Sequence, residues 1–560
     1  MKWLLKNKAS NKVVENLCER YHYSHITAQL LVQRNISTPE DIDAFFNPTL
    51  AHLHNPYLMK DMDKAIKRIF LALENEEKIL IYGDYDVDGT TAVSLVYDYL
   101  KKITTNLSTY IPDRYLEGYG ISFKGIDYAE DNDFSLIIAL DCGIKSIDKV
   151  DYANDKKIDF IICDHHTPGD ELPRAIAVLN PKRIDCEYPY KELCGCGVGF
   201  KLIQAIAEKN GEKVETLIPY LDLVATAIAA DIVPMTGENR VLTKLGLEVI
   251  NHSPRNGIKA MIMNLNKKSL NIRDVVFIIA PRINAAGRIK HGNFAVQLLT
   301  EFELDQALIF AKEIEALNIE RKGLDKQITL EALTQITENK EQDRFSTVVF
   351  QEDWHKGVIG IVASRLTETY YRPTLVFTGK TDIIGASARS IKCFDLYEAL
   401  EKCEDVLIQF GGHKFAAGLT LKKENFDLFK RKFEQVVSEK LTKEMLIPSI
   451  EVDLVIDFKD INEKLIQEIK QFEPFGPENM TPVFASENVK DTGYGKTIGQ
   501  NNEHLKLFLK QNQSEGFSSI GFGLGNKFTA TKNSFWGVFT IDENEFNGKI
   551  TIQLNLRDLK

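Results

Sequence analysis

The stretch KILIYGDYDVDGT, residues 78–90, decides the fold class. Its first part, KILIY, reads as a buried strand. Its second part sets Asp84, Asp86 and Asp88 on alternate positions just before Gly89. Three carboxylates within five residues repel one another unless a cation sits among them. The same pattern recurs twice. SLIIAL (135–140) runs into Asp141, and DFIIC (159–163) runs into Asp164, His165 and His166. Continuous apolar runs separated by amphipathic stretches predict an α/β fold whose parallel sheet is buried on both faces. In such sheets ligands bind beyond the carboxyl ends of the strands, where all three polar clusters lie.

An EF-hand calcium loop is excluded. A strand precedes the aspartates where that loop requires a helix, and position twelve from Asp84 is Leu95. A plain acidic turn competes for the first motif alone, and it weakens once carboxylates or histidines stand at three successive strand ends. Oxygen ligands with one imidazole suit Mn²⁺ or Mg²⁺ better than structural zinc. Two such ions, about 3.5–4 Å apart, need about six protein ligands, one of them a bridging carboxylate, and activate water for in-line attack on phosphorus. The best further acid is Asp231 in LVATAIAADIVP (223–234), which ends a run of small residues ahead of Pro234.

The 560-residue chain has room for roughly two to four domains. Hydrophobic content of 44% and charged content of 27% are ordinary for a globular protein. No apolar run approaches the ~20 residues that cross a bilayer. The opening MKWLLKNKAS breaks its apolar patch after Leu5, unlike a secretory signal, so a cytoplasmic protein is expected. Eight irregularly spaced cysteines form no disulfide framework, and Cys194 and Cys196 alone are a weak zinc signal. A net charge of −11 argues against a coat of basic residues, although nucleic-acid binding depends on local fields rather than the total.

Five regions are expected. Residues 1–70 read as short helices, with Ser37 or Thr38 capping the one that starts in STPEDI. Residues 71–300 hold the parallel-sheet domain. Residues 301–342, with one glycine and no proline, read as a connecting helix. Residues 343–445 form a second α/β domain from TVVF, GIVASRL and TLVF. Residues 449–560 alternate with period two, through Val452, Leu454, Ile456 and Phe458, then Leu505, Leu507 and Leu509, then Ile550, Ile552, Leu554 and Leu556. That pattern marks a small β barrel or sandwich.

Basic and glycine-rich motifs suggest phosphate contacts. PRINAAGRIKHG (281–292) carries Arg282, Asn284, Arg288 and Lys290 without an acid, and its small residues allow close backbone approach. GASARS (385–390) sets Ser387 and Arg389 two apart on one side of a strand, an arrangement suited to a terminal phosphate. Gly411, Gly412 and His413 offer backbone N–H donors beside an imidazole, whereas Gly-Gly alone is usually just a turn. Trp354 reads as a core residue rather than a base-stacking one.

The set DYDVDG (84–89), ALDCG (139–143), CDHH (163–166) and AADIVP (229–234) resembles the four motifs of the DHH phosphoesterase superfamily. LCGCGVGFK (193–201), GENR (237–240), PRINAAGR (281–288), HKGVIGIVASRL (355–366), SAR (387–389), QFGGHKFAAG (409–418) and FEPFGPENMTPVF (472–484) narrow it to the RecJ family of single-strand-specific exonucleases. The resemblance covers nearly the whole chain. It implies a DHH domain, a DHHA1-type domain and a C-terminal oligonucleotide-binding (OB) fold. It further implies Asp84 and Asp86 as ligands of one divalent ion, Asp88 as a ligand or a supporting residue, Asp141 as the bridging carboxylate, and His165 as a ligand of a second ion, with Asp231 completing the shell. His166 would act as a general acid, oriented by Asp164. Tyr82 stands where many relatives carry a histidine, so the ligand set there is shifted.

The implied activity is 5′→3′ hydrolysis of single-stranded DNA with two Mn²⁺ or Mg²⁺ ions, in DNA repair and recombination. A helicase and single-strand binding protein are the implied partners, and a monomer is expected. Two other readings stay open: a DHH enzyme for short oligonucleotides or cyclic dinucleotides, and a nucleic-acid-binding protein with a dead catalytic core.

Overall fold

After a short strand, Lys2–Leu5, that pairs with Ser449–Val452, the chain forms three short helices, α1 (Asn11–Tyr21), α2 (His25–Val32) and α3 (Pro39–Phe46). Thr38 caps α3. Its hydroxyl accepts the Asp41 N–H while the Asp41 carboxylate accepts the Thr38 N–H, and Pro39 needs no partner in the first turn. The computed structural model describes residues 1–546 and 548–560. These residues group into two units. One comprises Trp3–Ala280, Val296–Ala307 and Ile450–Lys560; the other comprises Met1–Lys2, Pro281–Ala295 and Leu308–Ser449.

In the first unit, the strands β1 (Lys78–Gly83), β2 (Leu107–Tyr110), β3 (Phe134–Leu140), β4 (Asp159–Cys163) and β5 (Ala177–Leu179) form one sheet. Its order is β2-β1-β3-β4-β5, with every adjacent pair parallel. The three runs read from the sequence are its central strands, and their interior residues are buried, as a sheet covered on both faces requires. The helices α4 (Val87–Leu100) and α5 (Gly195–Lys209) pack on its strands, as do the short helices at Phe123–Asp131 and Ile147–Asp155, while α6 (Leu221–Asp231) packs on α4 and α5 and α7 (Gly237–His252) on α6.

A helix of 35 residues, α8 (Leu304–Glu338), begins in the first unit and ends in the second, about 50 Å long at 1.5 Å per residue. The second unit adds β6 (Thr347–Phe350), α9 (Ile359–Tyr370), β7 (Thr374–Thr378), β8 (Ile383–Arg389), β9 (Gln409–His413) and β10 (Ala416–Lys422). Its sheet runs β9-β10-β8-β7-β6, with β6 and β7 parallel and the remaining pairs antiparallel. Trp354 lies in the core of this unit, its indole N–H donating to Glu331 at 2.7 Å.

The C-terminal strands β11 (Phe484–Asp491), β12 (His504–Gln511), β13 (Phe517–Gly521), β14 (Phe535–Phe546) and β15 (Lys549–Leu559) close into a barrel. The ring is β11-β12-β13-β15-β14 and back to β11, with β13 and β15 parallel. Leu505, Leu507 and Leu509 point inward, as the alternation predicts. Leu554 and Leu556 are buried but Ile550, beside the hairpin tip, is 59% exposed, so the alternation marks the barrel interior only along part of β15. Val14, Leu30, Ile42 and Phe45 of the opening helices share one apolar core with Phe484, Leu505 and Phe539 of the barrel. The N-terminal helices therefore belong to the β domain's core, which a reading along the chain did not reveal. Among the described residues, no helix is long and apolar enough to cross a membrane.

Candidate active site

The carboxyl ends of β1, β3 and β4 converge on one cluster. β1 ends at Gly83, and the chain then turns into α4 with Asp86 as N-cap, its Oδ1 accepting the Gly89 N–H at 3.0 Å. Gly89 has to be glycine, because a Cβ there would lie 2.5 Å from the Asp84 carbonyl oxygen. Asp88, one residue into the first turn, faces α5. Its two carboxylate oxygens accept the N–H groups of Gly195 (2.6 Å) and Cys196 (2.7 Å) at that helix's N-terminus. Asp88 thus joins two helices whatever else it holds. Cys194 caps α5 through its sulfur and, like Cys196, is a free buried thiol; neither belongs to any group of potential metal ligands among the described residues.

Asp141 follows β3 with φ +58, a left-handed conformation that aspartate tolerates better than most residues but at some strain. His165 follows β4. Its Nε2 lies 3.2 Å from Asp141 Oδ1, 3.5 Å from Asp231 Oδ2 and 3.7 Å from Asp88 Oδ2. Asp231 is the last residue of α6. Potential ligand atoms of Asp88, His165 and Asp231 lie within 4.8 Å of one another, as do those of Asp141, His165 and His166.

Asp164 has a different role. Its Oδ1 accepts the backbone N–H groups of His165 (2.7 Å) and His166 (3.0 Å) and the His166 ring Nδ1–H (2.7 Å), while Oδ2 accepts the Ile144 N–H. With its lone pairs so occupied, it holds the His166 ring by Nδ1. His166 Nε2 then points to the Tyr119 hydroxyl at 3.3 Å. Tyr119 packs edge-on to both His166 and Tyr85, and the Arg114 guanidinium lies over the Tyr85 ring at 4.2 Å. Arg114 and Tyr119 were not among the residues singled out from the sequence; their only signal was the crowding of DRYLEGYG (113–120) with aromatic residues and one arginine. Tyr82 holds that loop. Its hydroxyl donates to the Gly120 carbonyl (3.0 Å) and accepts the Ser122 N–H (3.1 Å), and the Gly120 N–H reaches Asp84 Oδ1 at 3.4 Å.

Electrostatics separate the cluster into two parts. Burial, and then neighbouring carboxylates, push Asp84 and Asp141 well above the usual carboxylate range. The same causes push Asp88 up to about 6 and Asp231 up to about 8. Burial, with His166 nearby, depresses His165 to about 3 and leaves its imidazole neutral. Burial opposes charge on His166 too, but the hydrogen bond and charge of Asp164 raise it to about 9. Burial likewise disfavours the Asp164 anion, yet His166 and the backbone N–H groups bring it down to about 2.

This donor set fits a divalent cation. Asp84 Oδ2, Asp141 Oδ1 and His165 Nε2 are buried and make no hydrogen bond. Buried polar atoms left in that state are costly, and repelling carboxylates beside a neutral imidazole are what a hard cation would relieve. The His166 ring nitrogen nearer Asp141, Nδ1, is committed to Asp164, which leaves Nε2 as the ring's available position.

Gly195 stands in the LCGCGVGFK motif, where the sequence pattern alone gives it no role. A Cβ there would lie 2.5 Å from Asp141 Cβ and 2.6 Å from Asp141 Oδ1. Gly195→Ala is expected to lower turnover about 100-fold at saturating Mn²⁺, because displacements near 1 Å at a reacting centre have that scale. An unchanged circular dichroism spectrum with unchanged turnover would contradict this.

In the second unit, Ser387 and Arg389 stand on β8 beside the first turn of α9. A Cβ on Gly360 would lie 2.9 Å from Ser387 Oγ and 3.3 Å from Arg389 Nη2. No side chain caps α9; backbone carbonyls take up N–H groups of its first turn instead, Ile359 donating to His355 (3.2 Å) and Ile361 to Val358 (2.8 Å). PRINAAGR is helical, within Ala280–Ile289. It does not present a full row of free cations: Arg282 Nε pairs with Glu315 at 2.6 Å, and Arg288 donates to the Gly357 carbonyl at 3.1 Å. Asn284 lies one turn before Arg288 on the same face. Gly411, Gly412 and His413 form the exposed edge strand β9. Gly412 is confined to glycine by φ +143 and by contact with Ala417.

Comparison with known proteins agrees with this architecture. Residues 78–228 match the DHH family N-terminal domain, 343–439 the DHHA1 domain and 452–558 the RecJ OB domain. The chain is 38% identical over its full length to the single-stranded-DNA-specific exonuclease RecJ of Bacillus subtilis, covering 70% of that protein. It is 33% identical to RecJ of Escherichia coli, over 89% of each chain. The crystal structure of Thermus thermophilus RecJ in complex with Mn²⁺ superposes with a TM-score of 0.87 at 24% identity, covering all of this chain and 79% of that one. A structure of exonuclease RecJ bound to manganese matches at 30% identity with a TM-score of 0.62, over 70% of this chain and 96% of that one. Fold and site define a DHH–DHHA1 phosphoesterase architecture with an OB barrel. The chain belongs to the RecJ family.

Proposed function

We propose that the protein is a metal-dependent exonuclease that degrades single-stranded DNA from the 5′ end to mononucleotides. The observation that carries this reading is the cluster of unpaired buried carboxylate and imidazole atoms at three strand ends. Asp84, Asp86, Asp141, His165 and Asp231 would hold two divalent ions, Mn²⁺ or Mg²⁺, with Asp88 joining this set from its post on the α5 N-terminus. Bound there, such ions lower the pKa of a coordinated water and offset charge developing on a phosphoryl group. His166 holds a proton at Nε2, kept on the ring by Asp164, for the oxygen leaving phosphorus. Arg114 and Tyr119 add a cation and a phenol at the same edge.

Two further features support a single-stranded substrate with a terminal phosphate. Ser387 and Arg389 beside the first turn of α9 offer a hydroxyl and a guanidinium suited to a phosphate dianion. On β12, Lys506, Phe508 and Lys510 alternate outward, with Lys496 directly opposite Lys506 and Lys490 opposite Lys510. Like charges directly opposite destabilise a sheet, and a phosphodiester backbone with stacked bases would offset that cost. The 5′ polarity, the repair and recombination role, the helicase and single-strand binding partners, the monomeric state and the cytoplasmic location rest on the RecJ resemblance. The complete acidic and histidine set argues against a dead catalytic core.

The test is release of label from 5′- and 3′-labelled single strands with Mn²⁺. Early mononucleotides from the 5′ end support the reading, whereas cleavage confined to di- or trinucleotides would replace it with a small-substrate enzyme. Arg389→Ala is expected to erase a roughly 10- to 100-fold preference for 5′-phosphoryl over 5′-hydroxyl strands, the scale of one charge-assisted contact. A preference that survives the substitution would remove the phosphate from this corner.

A further inference from the structure

The motifs GENR and FEPFGPEN have no part in the chemistry of the cluster, yet they meet directly behind Asp231. Immediately after Asp231, Ile232 adopts φ 60 and ψ 32, the left-handed conformation. Glycine is the usual residue at this helix end, and a β-branched side chain there is strained. Burial does not compensate, because Ile232 is 70% exposed. Contacts of the neighbouring chain must hold the strain.

Residues 234 and 235 are pinned on every side. The Pro234 carbonyl accepts from the Tyr190 hydroxyl (3.3 Å) and the Asn239 side chain (3.0 Å). The Met235 N–H donates to the Pro477 carbonyl of the turn that leads into the β domain, at 2.8 Å. Met235 also packs so close to Gly476 that a Cβ there would lie 3.0 Å from its own. Arg240 fixes the same turn: its guanidinium donates to the carbonyls of Phe45, Gln471, Phe472, Glu473 and Pro474 and lies 3.7 Å above the Phe45 ring.

We propose that residues 231–235 are a strained elbow, braced by the FGPEN turn of the β domain, that holds the Asp231 carboxylate in position for a divalent cation. Ile232, Met235 and Gly476 are positioning residues, and cation affinity at the catalytic cluster depends on the β-domain turn. The inference rests on the reading of the cluster as a cation site, not on the exonuclease reading. A chain that binds Mn²⁺ yet leaves single strands intact would sink the latter and leave the elbow standing.

Isothermal titration of the full metal-free chain with Mn²⁺ tests it, alongside melting in EDTA. Ile232→Gly is expected to weaken Mn²⁺ binding at least threefold while melting in EDTA stays level or rises, since strain is released. A purely structural residue does not separate these two readouts. Gly476→Ala, which presses on Met235 from the far side, is expected to weaken Mn²⁺ binding in the parent and to add nothing in the Ile232→Gly background. Unchanged Mn²⁺ affinity in both variants would overturn the proposal, as would losses that track melting temperature. So would intact Mn²⁺ affinity with weakened single-strand binding, which would make Ile232 a substrate contact.

Discussion

Replacing Asp141 with asparagine is expected to cut metal-dependent turnover at least about a thousandfold while raising the melting temperature in EDTA. The kinetic loss corresponds to the several kcal/mol that a correctly held cation contributes to phosphoryl chemistry. Asparagine matches the aspartate in shape and tolerates the left-handed φ of +58, so the backbone is not the variable. The stability gain follows from the sign of the pKa shift. A carboxyl whose folded value lies above its unfolded value is more easily ionised after unfolding, so the folded state loses stability as pH rises above the unfolded value near 3.9. Asp141, Asp84, Asp88 and Asp231 are all shifted this way. Metal-free parent should therefore melt at lower temperature at pH 8 than at pH 5, with Mn²⁺ reversing the loss. The variant should show a shallower fall and little response to Mn²⁺. A variant that melts earlier than the parent in EDTA at pH 8 would contradict this account.

Asp164→Asn is expected to lower turnover by about 10²- to 10⁴-fold, the range of general acid catalysis, and to move the alkaline limb of the pH profile. In the parent, His166 keeps its proton up to about pH 9 because Asp164 holds it. With a neutral partner its affinity for the proton falls towards the ordinary histidine value near 6.5, so activity should decline from neutral pH upward. Stability carries the same signature. A histidine raised in the folded state contributes stability that is fully present below about 6.5 and lost as pH rises through about 9. Asp164, lowered to about 2, contributes stability present above about 3.9 and lost as pH falls through about 2. Parent and variant should thus differ most in melting between pH 4 and 6.5 and converge above pH 9. An unmoved alkaline limb would remove His166 as the acid.

The first domain was legible because its signal is local. Apolar runs of strand length followed at once by polar residues state both the layer and its ligand edge, and KILIY, SLIIAL and DFIIC are indeed the central parallel strands. The cluster members Asp88, Asp141, His165, His166 and Asp231 could be named for the same reason. Less legible was which lone pairs stay free. Spacing alone does not separate Asp164 from Asp141, which only the family resemblance told apart; in the structure one oxygen of Asp164 is committed to the two histidines and the other to Ile144, while Asp141 keeps an unpaired oxygen. Arg282 reads as a phosphate ligand and sits against Glu315, 33 residues on along the chain, since the helix at 280–289 turns it there.

By itself, then, the order of residues determined the parallel sheet, the strand-end location of the site, its oxygen-rich chemistry and the alternation of the final barrel. Each of these is set by periodicity and by neighbours a few positions apart. The tertiary structure alone decided that Gly195 must leave room for Asp141, that Tyr119 meets His166, that the opening helices complete the core of the β domain, and that the turn at 476–479 braces the chain behind Asp231. These depend on partners between about 50 and several hundred residues apart. Hydrogen bonding and close packing act on distance in space, and no local pattern records which distant segment arrives there.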